Sequence, residues 1–293
     1  MKKYFSFLAG AALLACATVS CNKAGVTDSI SQAEDDQIVF RSQGPSIEAG
    51  IDTKTTALTS LDSFKASATK GASETQVWTN ATFTKSGTVY KGDKWWPKDD
   101  ETYHFYASNA ELTYSSSGNT VHASNTTDVL CAYMASPTYK GVNTLQFKHI
   151  FARLGSVTVS ASEAYTITGV DIKITPITGG TYNLKTGSDK TDGTGWSETT
   201  AGAATAIANA TPGTKSNDIY LVPGTYALTA TWTATKGEYT ETFTSKTVNV
   251  NLVAGKINNI SASLKGDATE ITFKVEIASW TNNSVDAGTF PVN

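Results

Sequence analysis

The feature that most constrains this chain is a two-residue period of apolar side chains. It is clearest in Leu145 to Ser160, LQFKHIFARLGSVTVS. In an extended segment Leu145, Phe147 and His149 share one face, and Gln146, Lys148 and Ile150 take the other. Val157 and Val159 resume the period after Leu154-Gly155-Ser156, where an extended chain can bend. The stretch therefore predicts two strands joined at a short break. Alternation continues on both sides of it, so it reads as the seam between two β-domains. His149 reads as a hydrogen-bonded histidine in a packed strand, because no acid or nucleophile motif surrounds it.

The same period recurs along the chain. Ile38-Val39-Phe40 is the first apolar run and predicts the first strand. Leu61, Phe64 and Ala66, then Phe83 and Tyr90, supply core contacts. Asp128 to Ala132 reads as a buried strand in which Cys131 is a small hydrophobe. Gly179 to Gly213 carries little pattern and predicts a long loop with short strands. Tyr226, Leu228, Ala230 and Trp232 fall on one face, and Ile271, Phe273, Val275 and Ile277 on another, closed by Trp280. Past the first twenty residues no run of ten keeps a helical period. Short strands spaced about 8–12 residues apart predict an all-β chain of two tandem β-sandwiches, residues 38–155 and 156–293.

The first twenty residues stand apart. Lys2 and Lys3 precede an apolar run from Tyr4 to Val19 that is short for a membrane span, and small residues lead to Cys21. This layout predicts a lipoprotein signal over residues 1–20, with Cys21 carrying acyl chains of the palmitate kind that anchor the protein in the outer membrane. Residues 21–37 are polar and read as a flexible tether. Cleavage before Cys21 would leave 273 residues and move the formal charge from −3 to −5. Cys131 would then be the one free thiol, so no intrachain disulfide is possible. An acidic chain without a basic run argues against nucleic acid as a partner.

Motifs for catalysis are missing. No H-E-x-x-H, G-x-S-x-G, phosphate-binding glycine loop or C-x-x-C occurs, and His104, His122 and His149 lack ligand spacing. The expectation is a chain that is not an enzyme and holds no cofactor or metal. Trp95-Trp96-Pro97 and Tyr103 to Tyr106 admit two readings. One is core and rim packing, which strands favour. The other is a sugar-stacking surface with Trp95 and Trp96 as contacts.

Six ordered segments then carry a resemblance. They are Trp95-Trp96-Pro97 with Tyr103 to Ala107; Asp128 to Ala132; Leu145 to Leu154; Tyr220-Leu221-Val222-Pro223-Gly224; Leu252 to Lys256; and the closing strand with Trp280. Together with the leader, this set resembles the fimbrillin family of Bacteroidetes, the subunits of type V pili, and its fimbrillin-like branch. The resemblance implies transthyretin-like sandwiches, display at the cell surface, and assembly with other fimbrillin subunits into a pilus or related adhesive structure. It also implies proteolytic maturation after Arg41 or Lys54, departure of the strand Ile38-Val39-Phe40, and filling of its groove by another subunit's C-terminal strand. The candidate donors are Ile271, Phe273, Val275 and Ile277, or the tail from Val285. A chain left uncut would instead be a lipid-anchored surface protein that binds glycan or a host ligand.

Overall fold

The computed structural model describes residues 36–43, 61–97, 101–161, 164–264 and 271–280. These residues form an all-β structure without an α-helix. In the first part of the chain the strands are β1 (Gln37–Gln43), β2 (Ser63–Lys70), β3 (Thr75–Ser86), β4 (Val89–Trp95), β5 (Tyr103–Ser108), β6 (Leu112–Thr113), β7 (Thr120–Ser124), β8 (Leu130–Met134), β9 (Val142–Gln146) and β10 (Lys148–His149). In the second they are β11 (Ala152–Ser160), β12 (Thr166–Ile174), β13 (Ile177–Asn183), β14 (Trp196–Ala201), β15 (Thr205–Ala206), β16 (Gly213–Leu221), β17 (Gly224–Lys236), β18 (Tyr239–Thr244), β19 (Val248–Leu252), β20 (Lys256–Leu264) and β21 (Ile271–Ser279).

An eight-stranded sheet of order β10-β8-β5-β2-β3-β4-β1-β9 is built wholly from the first part. The second part makes a sheet of order β16-β11-β20-β21 and another of order β15-β12-β17-β18, with β19 also on β17. A common design is visible in both parts. β1 lies between antiparallel β4 and parallel β9, and β11 lies between antiparallel β16 and parallel β20.

The parts are not separate bodies laid end to end. A fourth sheet, β14-β13-β7-β6, takes two strands from each, and β13 pairs with β7 from Gly179↔Ser124 to Asn183↔Thr120. Gly179 is required there, because an added Cβ would lie 2.3 Å from the Ala123 carbonyl oxygen. Three apolar clusters follow. One belongs to the first part and contains Ile38, Phe40, Phe64, Phe83, Phe105, Leu145 and Phe147. One belongs to the second and is centred on Trp232, Ile172, Val157 and Ile260. The third is shared: Tyr106, Val121, Val129 and Cys131 meet Phe151, Tyr182, Leu184, Val222 and Trp280.

The central stretch alternates as expected, with Leu145, Phe147 and His149 buried and Gln146 and Lys148 exposed. Ile150 is buried as well, but in the shared cluster rather than with Leu145 and Phe147. The stretch makes three strands rather than two, with breaks at Phe147 and at Ile150-Phe151 and none at Leu154-Gly155-Ser156. The latter is a bulge inside β11, where the register shifts against both neighbours. Its glycine answers to contact: a Cβ on Gly155 would sit 2.4 Å from Asn259 Oδ1 and 2.7 Å from Ile257 Cγ2. Asn259 Oδ1 in turn accepts the Ser156 N–H at 2.8 Å, closing the bulge.

Candidate functional site

The site is the slot that β1 fills. Ile38, Val39 and Phe40 are buried. Ile38 and Phe40 point into the core of the first part. Strand alternation sends Val39 to the other face. The Phe40 ring lies 4.9 Å from Phe83 and 5.0 Å from Phe105 in edge-on packing, and 6.0 Å from Phe64. Edge-to-face contacts of this kind add to area burial by about 0.5–1.5 kcal/mol each. Fully burying one phenylalanine is worth about 1.5–3 kcal/mol before that.

Both backbone edges of β1 are used. Gln37, Val39 and Phe40 pair with Trp95, Lys91 and Tyr90 of β4, and Val39 to Gln43 pair with Val142 to Gln146 of β9. Polar contacts hold its two ends. The Trp96 N–H donates to the Asp36 carbonyl at 2.7 Å, and Lys140 forms an ion pair with the Asp36 carboxylate. Gln37 Nε2 donates to the Gly92 carbonyl at 2.7 Å. At the far end the Phe147 N–H donates to the Gln43 carbonyl at 2.9 Å, and Gln146 Nε2 donates to Gln43 Oε1 at 3.1 Å. Between them the Ser42 hydroxyl donates to the Tyr90 oxygen at 3.1 Å, while Tyr90 donates to the Leu61 carbonyl at 2.6 Å. β1 is thus an interior strand by pairing and the first strand in sequence among the described residues.

A family model described as fimbrillin-like matches residues 49–280. The chain belongs to the fimbrillin-like family. Among solved structures it is similar to a fimbrial protein from Bacteroides vulgatus ATCC 8482, with 15% identity, 84% of this chain and 100% of that one covered, and a TM-score of 0.53. It is also similar to a fimbrial assembly protein from Parabacteroides distasonis ATCC 8503, at 11% identity over 83% and 100% of the two chains, with a TM-score of 0.42. At 15% identity the likeness to the Bacteroides vulgatus protein is one of fold. No curated protein matches.

In this fimbrillin-like chain the residues singled out from sequence divide. Ile38, Val39 and Phe40 form the buried part of β1. Arg41 is exposed but lies inside β1, opposite Thr144 of β9, so a cut there falls within a paired strand. Lys54, Cys21 and Val285 lie outside the described residues. Ile271, Phe273, Val275 and Ile277 belong to β21, an edge strand paired with β20 in continuous register from Leu264↔Ile271 to Lys256↔Ser279. Ile271 is buried, while Ile277 is 49% exposed. Trp95 and Trp96 do not act together. Trp95 is 54% exposed, whereas Trp96 is 3% exposed and packs against Tyr103, Phe105 and Tyr139, so it offers no face to a ligand.

Three groups escaped the sequence reading. The end clamps of β1 are one, since nothing local marks Asp36, Lys140 or Gln43. The second is a buried network around Glu74, in the turn between β2 and β3. Tyr106 donates to its carboxylate, and Lys185 from the second part forms an ion pair with it. Burial works against the charge on Glu74, but the hydrogen bonds from Lys185 and Tyr106 outweigh it and hold the carboxyl below its ordinary value. The bond to Glu74 raises Lys185. The third is a stack at the seam. The Trp280 ring lies 4.1 Å from His149 at an interplanar angle of 3°, and 5.5 Å from Tyr220 at 15°. His149 Nδ1 is 2.9 Å from Asp128 Oδ1, the hydrogen-bonded setting expected of it. Burial pushes the Cys131 thiol up to about 12, which makes it inert. Among the described residues no three His, Cys, Asp or Glu side chains come together as a metal site.

Proposed function

We propose that the chain is a structural subunit of a pilus or a related surface adhesin, exported as a lipoprotein through Cys21 and assembled by strand exchange. The observation that carries this reading is the topology of β1. A strand inside a sheet cannot usually leave without unthreading the chain. β1 is the first strand among the described residues, so one cut in the following connection would free it while β2 to β10 stay linked. Its departure would bare the facing edges of β4 and β9 and an apolar slot floored by Phe64, Phe83 and Phe105. Such a slot is satisfied by an incoming strand that pairs along both edges.

The donor reading favours the tail beyond Trp280 over β21. Drawing β21 out would break its whole register with β20 and pull Trp280 from between His149 and Tyr220. Lys54 is favoured over Arg41 as the cut, because Arg41 is held inside a paired strand. The two sandwiches would give one subunit its slot and its donor; a division at 155/156 would cut β11, so the proposed boundary is the break at Ile150-Phe151. This role needs no catalytic group, and membership of the family supports a non-enzymatic part in adhesion at the cell surface.

The test is to treat the unprocessed protein with a Lys- or Arg-specific protease, then sequence the new N-terminus and run the product without heating. The expected result is loss of the segment through Lys54 and a ladder of oligomers. A product trimmed at that position that stays monomeric at high concentration would refute assembly by strand exchange.

A further inference from the structure

We infer that the open edge of β21 pairs with β21 of a second copy of this chain, antiparallel and about a two-fold axis at Val275. β21 ends the sheet β16-β11-β20-β21, so no described strand pairs with its outer side. It runs nine residues against β20 in unbroken register. Proteins usually blunt such an edge with bulges, kinks or charge. At β16 the register shifts opposite the Gly155 bulge, and Asp218 takes a left-handed backbone conformation. At β14 the register with β13 shifts twice, and Glu198 is left-handed. β18 is straight, but Glu241 is its one charge, so it has no opposite charge to offer a copy of itself.

Both faces of β21 suit a copy of itself. The inner face carries Ile271, Phe273, Val275 and Ile277, opposite Leu264, Ala262, Ile260 and Asn258 of β20. Cover fails along this row: Ile271 is buried, Phe273 and Val275 are half-buried, and Ile277 is exposed. The outer face carries Lys274 and Glu276, whose side chains reach solvent and meet each other at 3.2 Å. Lay a second β21 antiparallel, with Val275 opposite Val275. Phe273 of each copy then faces Ile277 of the other, which covers the exposed end of the apolar row. Lys274 of each copy faces Glu276 of the other, giving two attractive cross-strand pairs. An axis at Lys274 or at Glu276 would instead set like charges opposite. An axis at Phe273 or at Ile277 would give neither charge an opposite partner. A two-fold contact closes on itself as a dimer rather than growing into a fibre. The inference does not rest on strand exchange, because β21 stays in its own sheet and β1 stays in its slot.

Sedimentation velocity of the uncut chain tests this. The chain is begun at position 21 with Cys21→Ser, so that no acyl chain drives association. A single edge strand makes a small interface, so concentrations should run from about 1 µM to about 0.5 mM. The expected result is a reversible monomer–dimer equilibrium. Lys274→Glu and Glu276→Lys should each weaken the dimer by at least about tenfold, and an equal mixture of the two variants should dimerise as the parent does. Both side chains reach solvent, so both variants should fold, which circular dichroism checks. Opposed residues of paired strands lie about 4.5–5.5 Å apart at Cα, inside the range a disulfide spans. Val275→Cys should therefore give a disulfide-linked dimer on oxidation, while buried Cys131 alone gives none. A parent chain that stays monomeric at the highest concentration would overturn the inference. So would a dimer that either charge reversal leaves intact, or single variants that fail to rescue each other when mixed.

Discussion

Phe40 shows how much of β1's hold rests on one side chain. It meets Phe64, Phe83 and Phe105 at once, and no polar group on β1 matches that contact. Phe40→Ala should therefore cost about 3–5 kcal/mol in urea unfolding, the usual range for a large buried aromatic. Glu74 makes a different kind of residue-scale prediction. Its carboxyl is held below the ordinary value of 4.5. Its contribution to stability is therefore complete above that value and drains away as pH falls through the lower folded value. Glu74→Gln should lower stability near neutral pH by about 2 kcal/mol, as for a buried hydrogen bond to a charged group, and should flatten the acid limb of a stability–pH curve below about 4.5. A limb as steep as that of the parent would place the acid sensitivity elsewhere. Lys185 has the opposite sign, since a raised pKa adds stability that is lost only as pH climbs past 10.5. Neither partner was legible beforehand. Glu74 and Lys185 are 111 positions apart, and each looks locally like a solvated surface charge.

At the scale of elements, the sequence was most readable where one face is core and the other solvent. β17 alternates through Tyr226, Leu228, Ala230 and Trp232, all buried, and its exposed face is read off the same period. What the period cannot supply is register. It marks Val157 and Val159 as inward but is silent on the bulge before them, because the extra residue is set by Asn259, 103 positions after Ser156. The segment from 179 to 213 was poorly patterned for a related reason. β14 and β15 are almost wholly exposed, so no apolar period is needed to form them. β1 was legible as a strand from Ile38-Val39-Phe40, but its place in the sheet interior was not. That place leads to a direct test of the slot. A chain truncated to begin after Gln43 should bind a synthetic peptide of Gln37 to Gln43, and the same peptide with Phe40→Ala should bind at least about tenfold more weakly. Equal binding of the two peptides would mean that Phe40 does not seat the strand.

The whole molecule raises the question of whether its two parts fold as one. A sheet crosses between them through β7 and β13, and the shared cluster draws large side chains from both. Phe151 is fully buried there, in ring contact with Trp196 at 5.0 Å and Tyr220 at 6.4 Å. Trp280 closes the cluster by stacking between His149 of the first part and Tyr220 of the second. Each part still has a core of its own, so the parts can persist if the shared cluster fails. Coupling of this kind is an energy, and removing a few kcal/mol from the interface should be enough to split the transition. The parent chain should therefore unfold in one step, with tryptophan fluorescence and far-ultraviolet circular dichroism tracing the same curve. Phe151→Ala, which removes a large side chain from the shared cluster alone, should cost about 3–5 kcal/mol and separate the curves into two. Phe40→Ala lies in the first part's own core and leaves the shared cluster whole, so it should lower the single transition while the two curves stay coincident. If Phe151→Ala instead shifts one coincident transition downward, the two parts are a single cooperative unit, and the seam at Ile150-Phe151 is a feature of topology without independent folding on either side of it.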